Sequence, residues 1–213
     1  MAALLMPFTL PAFIAVLAAG SILVVFSDWR VSLAALLVEY AGAALLLTQI
    51  VIVEVALVKL IAGLLVVSVL GLTAWQLNFG YPSQPGVAGW QTRFELPTAL
   101  PFRVMAVILA VVAALFLASQ PQLALPGVDQ APVANAASYV LMALGLLNLG
   151  LTEEPIGAGL GLLTLMLGFE IFYAAVEPSL AVVALIAAVE LALALAVSYL
   201  AALQHSSSPS PRA

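Results

Sequence analysis

Apolar residues fill seven long runs of this chain, and short polar or turn-forming stretches separate the runs. A helix that crosses a membrane needs about 20 predominantly apolar residues. By that measure the pattern predicts an all-α polytopic membrane protein with seven transmembrane helices. Their predicted ranges are 5–26, 31–47, 50–74, 102–118, 133–151, 156–176 and 180–203.

Two of these boundaries need a separate argument. The first run could be mistaken for a signal peptide, but it lacks a basic n-region and stays apolar to Phe26, so we expect it to be the first span. The stretch 31–74 contains no polar loop and is too long for one span. A tight turn at Thr48–Gln49 would divide it into two.

Composition agrees with this fold class and argues against several kinds of cofactor site. The chain has 213 residues, of which 65% are hydrophobic and 7% are charged, whereas soluble domains average about 25% charged residues. With no cysteine, thiolate-held iron–sulfur clusters and disulfides are excluded. The single histidine, His205, follows the last apolar run, which argues against haem ligation inside the membrane. We therefore expect no cofactor and no metal site.

Rare charges recur at matching positions. Glu39 is followed twenty residues later by Lys59, and Glu170 is followed twenty residues later by Glu190, with an offset of 131 between the pairs. A charged side chain at the bilayer centre costs about 2.5–3.5 kcal/mol on insertion scales. The recurrence predicts a duplication in which the first three spans match the last three. A single connecting span makes the two units parallel in the membrane.

This repeat sets the predicted organisation and orientation. The arginines all fall on one side of a seven-span arrangement, which predicts an N-terminus outside and a C-terminus in the cytoplasm. The predicted segments are a first three-helix unit (1–75), a cytoplasmic loop (76–101), a connecting helix (102–118), an outer loop (119–132), a second three-helix unit (133–203) and a disordered tail (204–213).

The charged pairs are candidates for proton transfer. Glu39 and Lys59 flank the turn near residue 48, so each lies roughly 13–16 Å from the outer surface, near mid-membrane. Glu170 and Glu190 flank the turn at Pro178 in the same way. Two neighbouring carboxylates cannot both ionise cheaply, so one of them is expected to load and release a proton.

Structural interpretations stay open for the same residues. Glu39 and Lys59 could form an ion pair that only holds helices together, and Glu170 and Glu190 could be buried polar contacts between helices. Glu54 and Glu177 lie nearer the outer surface and are either proton entry and exit groups or solvated side chains. The glycines 157, 159 and 161 open a membrane helix with no strand before it, which indicates close helix packing rather than a dinucleotide loop.

The segment from Arg30 to Glu39, a short turn and then Lys59 resemble the membrane subunits of the complex I superfamily. The chain looks most like the E component of hydrogenase-4-type complexes, which contains a portion similar to the small K-type (4L) subunit. That resemblance implies a prokaryotic inner-membrane location and larger antiporter-like subunits as partners. It also implies that Glu39 and Glu170 match the carboxylates of the second K-type helix, and that Lys59 and Glu190 match ionisable positions of the third.

The leading hypothesis is a non-redox membrane subunit of a proton-translocating respiratory or hydrogenase-like complex, not catalytic alone. One alternative is a structural scaffold that docks larger antiporter-like subunits. Another is a stand-alone small-ion transporter, although the parallel units and few polar groups argue against it. The chain has no basic patch for nucleic acid, so the lipid bilayer and membrane subunits are the expected partners.

Overall fold

The computed structural model describes residues 2–26, 28–77, 99–120, 122–123, 132–177 and 179–207. Within these residues the chain forms seven α-helices and no strand, which confirms the predicted all-α fold. The helices are α1 (Ala2–Val25), α2 (Trp29–Leu47), α3 (Val53–Gln76), α4 (Ala99–Ala118), α5 (Pro132–Leu151), α6 (Pro155–Val176) and α7 (Leu180–Ser207).

Length and composition identify the helices as membrane spans. Six of the seven described helices, α2 to α7, are long and apolar enough to cross a membrane, and α1 is apolar as well. The chain is therefore a multi-pass membrane protein. Helix α7 continues to Ser207, four residues beyond the predicted end of the last span, and 208–213 lie outside the described residues.

Local sequence explains several helix ends. Asp28 caps α2, accepting a hydrogen bond from the backbone N–H of Arg30 at 3.0 Å. Pro155 occupies the first turn of α6, where its missing N–H has no helical partner to lose. The predicted turn at Thr48–Gln49 is present between α2 and α3, and the Thr48 hydroxyl donates to the carbonyl of Leu45 at 2.7 Å.

The helices of the two predicted units pack against their counterparts. Helix α1 contacts α5, α2 contacts α6, and α3 contacts α7. Helices α2 and α6 are the most buried, whereas α4 and α7 expose most of their apolar side chains outward. The centre of the bundle is therefore formed by the two helices that carry Glu39 and Glu170.

Close backbone contact joins α5 and α6. A Cβ atom at Gly161 would lie 2.8 Å from the backbone nitrogen of Leu149, and one at Gly168 would lie 2.7 Å from that of Met142. Only residues without a side chain permit this separation. The packing role expected for the first glycines of α6 is thus observed at Gly161.

A hydrogen bond joins the first turns of α4 to the end of α1. The guanidinium of Arg103 donates to the carbonyl of Val24 at 3.3 Å, in the last turn of α1. A cation at a helix C-terminus is favoured by the unpaired carbonyls there. Arg103 and Arg30 therefore lie at the same end of the bundle. Arg93 and Arg212, predicted on the same side, lie outside the described residues.

Candidate functional site

A buried ion cluster joins three helices at the centre of the bundle. The ammonium of Lys59 on α3 lies 2.6 Å from both carboxylate oxygens of Glu190 on α7. It also forms an ion pair with Oε2 of Glu170 on α6. All three side chains are 0% exposed. Lys59 is therefore shared between two carboxylates, with no solvent to screen them.

Lys59 and Glu190 occupy equivalent positions of the predicted repeat. They are 131 residues apart, the same offset that relates Glu39 to Glu170. Because α3 packs against α7, the two equivalent positions meet at the interface between the units. Two identical charges there would repel each other, whereas a lysine facing a glutamate attracts.

Tyr40 on α2 completes the cluster. Its hydroxyl donates to Oε2 of Glu190 at 3.3 Å, and the Lys59 ammonium lies 4.9 Å from its ring centroid. The ring is fully buried and packs on Gly63, where any Cβ atom would overlap it. Gly63 lies one helical turn after Lys59, so both residues face Tyr40 from α3. We call Lys59, Glu170, Glu190 and Tyr40 the Lys59 cluster.

The two carboxylates of the Lys59 cluster accept different numbers of hydrogen bonds. Both oxygens of Glu190 accept from Lys59, and one also accepts from Tyr40. Glu170 forms an ion pair with the ammonium through Oε2, but neither of its oxygens has a hydrogen-bond partner among the described residues. The Glu170 contact is thus an ion pair without good hydrogen-bond geometry, whereas Glu190 is fully satisfied.

Glu39 forms a separate polar site between α2 and α6. The hydroxyl of Thr164 on α6 donates to its Oε2 at 2.8 Å, and the side chain is 0% exposed. Its Oε1 has no hydrogen-bond partner among the described residues. Gly20 on α1 lies beside that oxygen, because a Cβ there would be 3.0 Å from it.

The charge balance of these groups favours bound protons. Glu39, Glu170 and Glu190 are three buried acids, and Lys59 is the one base with which they share the bundle centre. Unpaired ionised groups in a low-dielectric interior cost several kcal/mol each, roughly. An electrically neutral arrangement requires protons on two of the three carboxyl groups. The site can therefore hold protons.

The contact partners of Lys59 and Glu39 differ from those that their equal depth in the membrane suggested. Lys59 contacts Glu170 and Glu190 of the second unit, and Glu39 bonds to Thr164. Glu177 is exposed at the end of α6, and the side chain of Glu54 lies outside what the structure describes. Among the described residues, no group of three His, Cys, Asp or Glu side chains could hold a metal ion.

Two functional candidates were not found from the sequence. Tyr40 follows Glu39 directly, and a tyrosine next to a mid-membrane acid needs a partner for its hydroxyl. Thr164 precedes Glu170 by six residues in the same apolar helix. Either signal could have been used, but helix rotation decides whether the hydroxyl meets a carboxylate.

No family model, curated protein or solved structure matches this chain. The fold and the site define a helical, multi-pass membrane protein with buried acids that outnumber their nearby base.

Proposed function

We propose that this chain is a non-redox membrane subunit that transfers protons, or couples their movement, within a respiratory or hydrogenase-like complex of the complex I superfamily. The observation that supports the proposal is the buried Lys59 shared between Glu170 and Glu190. A purely structural ion pair needs one acid. The second acid adds a group that can take up and release a proton beside the Lys59–Glu190 ion pair.

Two polar sites that share α2 and α6 suit lateral transfer. Glu39 and Tyr40 are consecutive residues of α2, and they point to Thr164 on α6 and to Glu190 on α7 respectively. Intramembrane acids that face a bundle interior are typical of proton relays. In the proposed function, protons pass between the Glu39 site and the Lys59 cluster, and larger antiporter-like subunits of a prokaryotic inner-membrane complex supply or accept them. The N-terminus lies outside and the C-terminus in the cytoplasm.

The test uses the native assembly with Glu170→Gln and Glu190→Gln. Glutamine keeps the shape and hydrogen-bonding capacity of the side chain but cannot exchange a proton. We expect proton translocation to be lost while assembly and electron transfer persist. Glu153→Gln, at an exposed position between α5 and α6, is the matched control. Unchanged translocation in both cluster variants, with the assembly intact, would overturn the proposal.

A structural scaffold that docks larger subunits is the second candidate function. It is favoured by the Lys59–Glu190 ion pair, which joins helices of the two predicted units. A scaffold predicts that Glu190→Ala disrupts assembly, since it leaves Lys59 with fewer partners, while Glu190→Gln leaves translocation unaffected. Blue-native electrophoresis of the complex, combined with translocation assays, separates the two functions.

A further inference from the structure

We propose that a column of polar side chains along α5 and α6 is the route by which the Glu39 carboxyl group exchanges protons with water at one end of the bundle. The column consists of Thr152, which directly follows α5, Asn148 on α5 and Thr164 on α6. The inference rests on the proposed function and goes further, because it gives the protons that Glu39 transfers a source outside the bundle.

Helices α2 and α6 begin at the same end of the bundle. Arg103, near the start of α4, contacts the end of α1, and Asn135, near the start of α5, contacts the end of α4. Glu39 lies ten residues after the start of α2, and Thr164 lies nine residues after the start of α6. At 1.5 Å per residue, both are about 13–15 Å from that end. A proton on the buried Glu39 must cross this depth of helix packing to reach the turn between α5 and α6, where Glu154 is exposed.

The polar column starts at this turn and continues inwards by helical turns. The Thr152 hydroxyl donates to the amide oxygen of Asn148 at 3.2 Å, and the Asn148 amide nitrogen donates to the carbonyl of Gly157 at 3.1 Å. A Cβ atom at Gly161 would lie 3.1 Å from the same amide nitrogen. Because Gly161 has no side chain, nothing from that residue separates Asn148 from the next turn of α6.

Thr164 connects the column to the acid. It lies one helical turn after Gly161, and its hydroxyl donates to Oε2 of Glu39 at 2.8 Å. A hydroxyl oxygen accepts as well as donates, so Thr164 can take a hydrogen bond from the side of Asn148 while it donates to Glu39. A proton that enters from water binds a carboxyl oxygen of Glu39, and the same route returns it to water.

The sequence around Glu39 is polar in this direction and apolar in the other. Residues 10–19 of α1 and 41–47 of α2 carry no polar side chain. Asn148 and Thr164 are buried, and a buried polar side chain in a membrane helix is costly unless it is hydrogen-bonded. Besides the neighbouring Lys59 cluster, the column therefore supplies the polar surroundings through which Glu39 is linked to the end of the bundle.

The experiment follows hydrogen–deuterium exchange of the Glu39 carboxyl group by infrared spectroscopy of the full chain in lipid nanodiscs. The carbonyl band of a protonated carboxylic acid moves to lower frequency when deuterium replaces the proton, so transfer into deuterated water gives the rate of exchange. The band that Glu39→Gln removes is assigned to Glu39.

Two variants interrupt the column and one is the control. Asn148→Leu replaces the amide with an apolar side chain of similar size. Thr152→Val keeps the shape of the side chain without its hydroxyl, and it provides the test if Asn148→Leu does not fold. Asn135→Leu is the matched control, because Asn135 is also buried on α5 but donates to the carbonyl of Ala118 at the opposite end.

We expect Asn148→Leu to slow the exchange of the Glu39 carboxyl group by about tenfold or more, because an apolar side chain interrupts the column. Thr152→Val should slow it less, since Asn148 remains in place, and Asn135→Leu should exchange at the wild-type rate. If Asn148 only held the turn between α5 and α6, its loss would loosen the packing and speed the exchange. The sign of the change therefore separates the two roles.

Three results would contradict the inference. Exchange that is unchanged or faster in Asn148→Leu and Thr152→Val would show that protons do not reach Glu39 along the column. Equal slowing in Asn135→Leu would show a general effect of packing in α5. If Glu39→Gln removes no band, Glu39 binds no proton and its part in the proposed function fails as well, so the two failures are distinguished.

Discussion

Lys59 and Glu190 form a fully buried ion pair although 131 positions separate them along the chain. The pair links α3 to α7 at equivalent positions of the predicted repeat, and Glu170 adds a second acid from α6. Because Lys59 has two carboxylate partners and each carboxylate has one ammonium, the three residues do not contribute equally to the stability of the bundle.

A double-mutant cycle measures how strongly Lys59 and Glu190 stabilise each other. Lys59→Met leaves two buried acids without a cation and should destabilise the protein by about 3–5 kcal/mol. Glu190→Gln should be milder, since Glu170 still neutralises Lys59. The double variant should be less destabilised than the sum of the two single variants, as thermal unfolding in detergent would reveal. Additive effects would show that the pair is not energetically coupled.

Gly63→Ala tests the packing of Tyr40. A Cβ at position 63 would overlap the tyrosine ring, so the ring must shift from its observed position. Overpacking of this kind costs about 1–3 kcal/mol. Gly71→Ala is the matched control on the same helix, because the nearest atom, in Leu33, would be 3.7 Å away. Equal unfolding temperatures for the two variants would contradict the observed packing.

Thr164→Val tests the hydrogen bond to Glu39. The substitution removes the one donor that Glu39 has among the described residues, and stability should fall by about 1–3 kcal/mol. The loss should disappear in a Glu39→Leu background, where no carboxylate remains. Thr73→Val is the control, since the Thr73 hydroxyl bonds only to the carbonyl of Val69 in its own helix. A loss that persists without Glu39 would mean that Thr164 acts through packing alone.

The contact between α5 and α6 depends on glycine. A methyl group at position 168 would lie 2.7 Å from the backbone nitrogen of Met142, so Gly168→Ala must separate the helices and lower the unfolding temperature. Gly150→Ala has open space and should be neutral or slightly stabilising, because alanine favours a helix over glycine by about 0.5–1 kcal/mol. A neutral Gly168→Ala would contradict the close approach.

The elements of the fold could be predicted from the sequence because the bilayer sets a minimum length for each apolar run. Length indicated that 31–74 contains two spans, and the 131-residue offset from the turn at Pro178 placed the division at Thr48–Gln49, where no polar loop marks it. The partners of the charged residues could not be predicted. Depth places Lys59 level with Glu39, but helix rotation turns it towards Glu170 and Glu190.

That rotation follows from packing contacts across the bundle. Gly161 and Gly168 bring α6 against α5, while Gly63 admits the ring of Tyr40 between α2 and α3. Each contact joins residues on different helices, so no local sequence pattern predicts it. The presence of buried charge was thus predictable, whereas its pairing required the assembled helices.

Proton translocation per electron pair, measured in vesicles that contain the native assembly with Glu170→Asp or Glu170→Gln, tests the central claim most directly. Aspartate keeps an exchangeable proton and glutamine does not. The account predicts that the aspartate variant retains part of the wild-type ratio and that the glutamine variant loses translocation with the assembly intact. Equal ratios in the wild type and in both variants would contradict it.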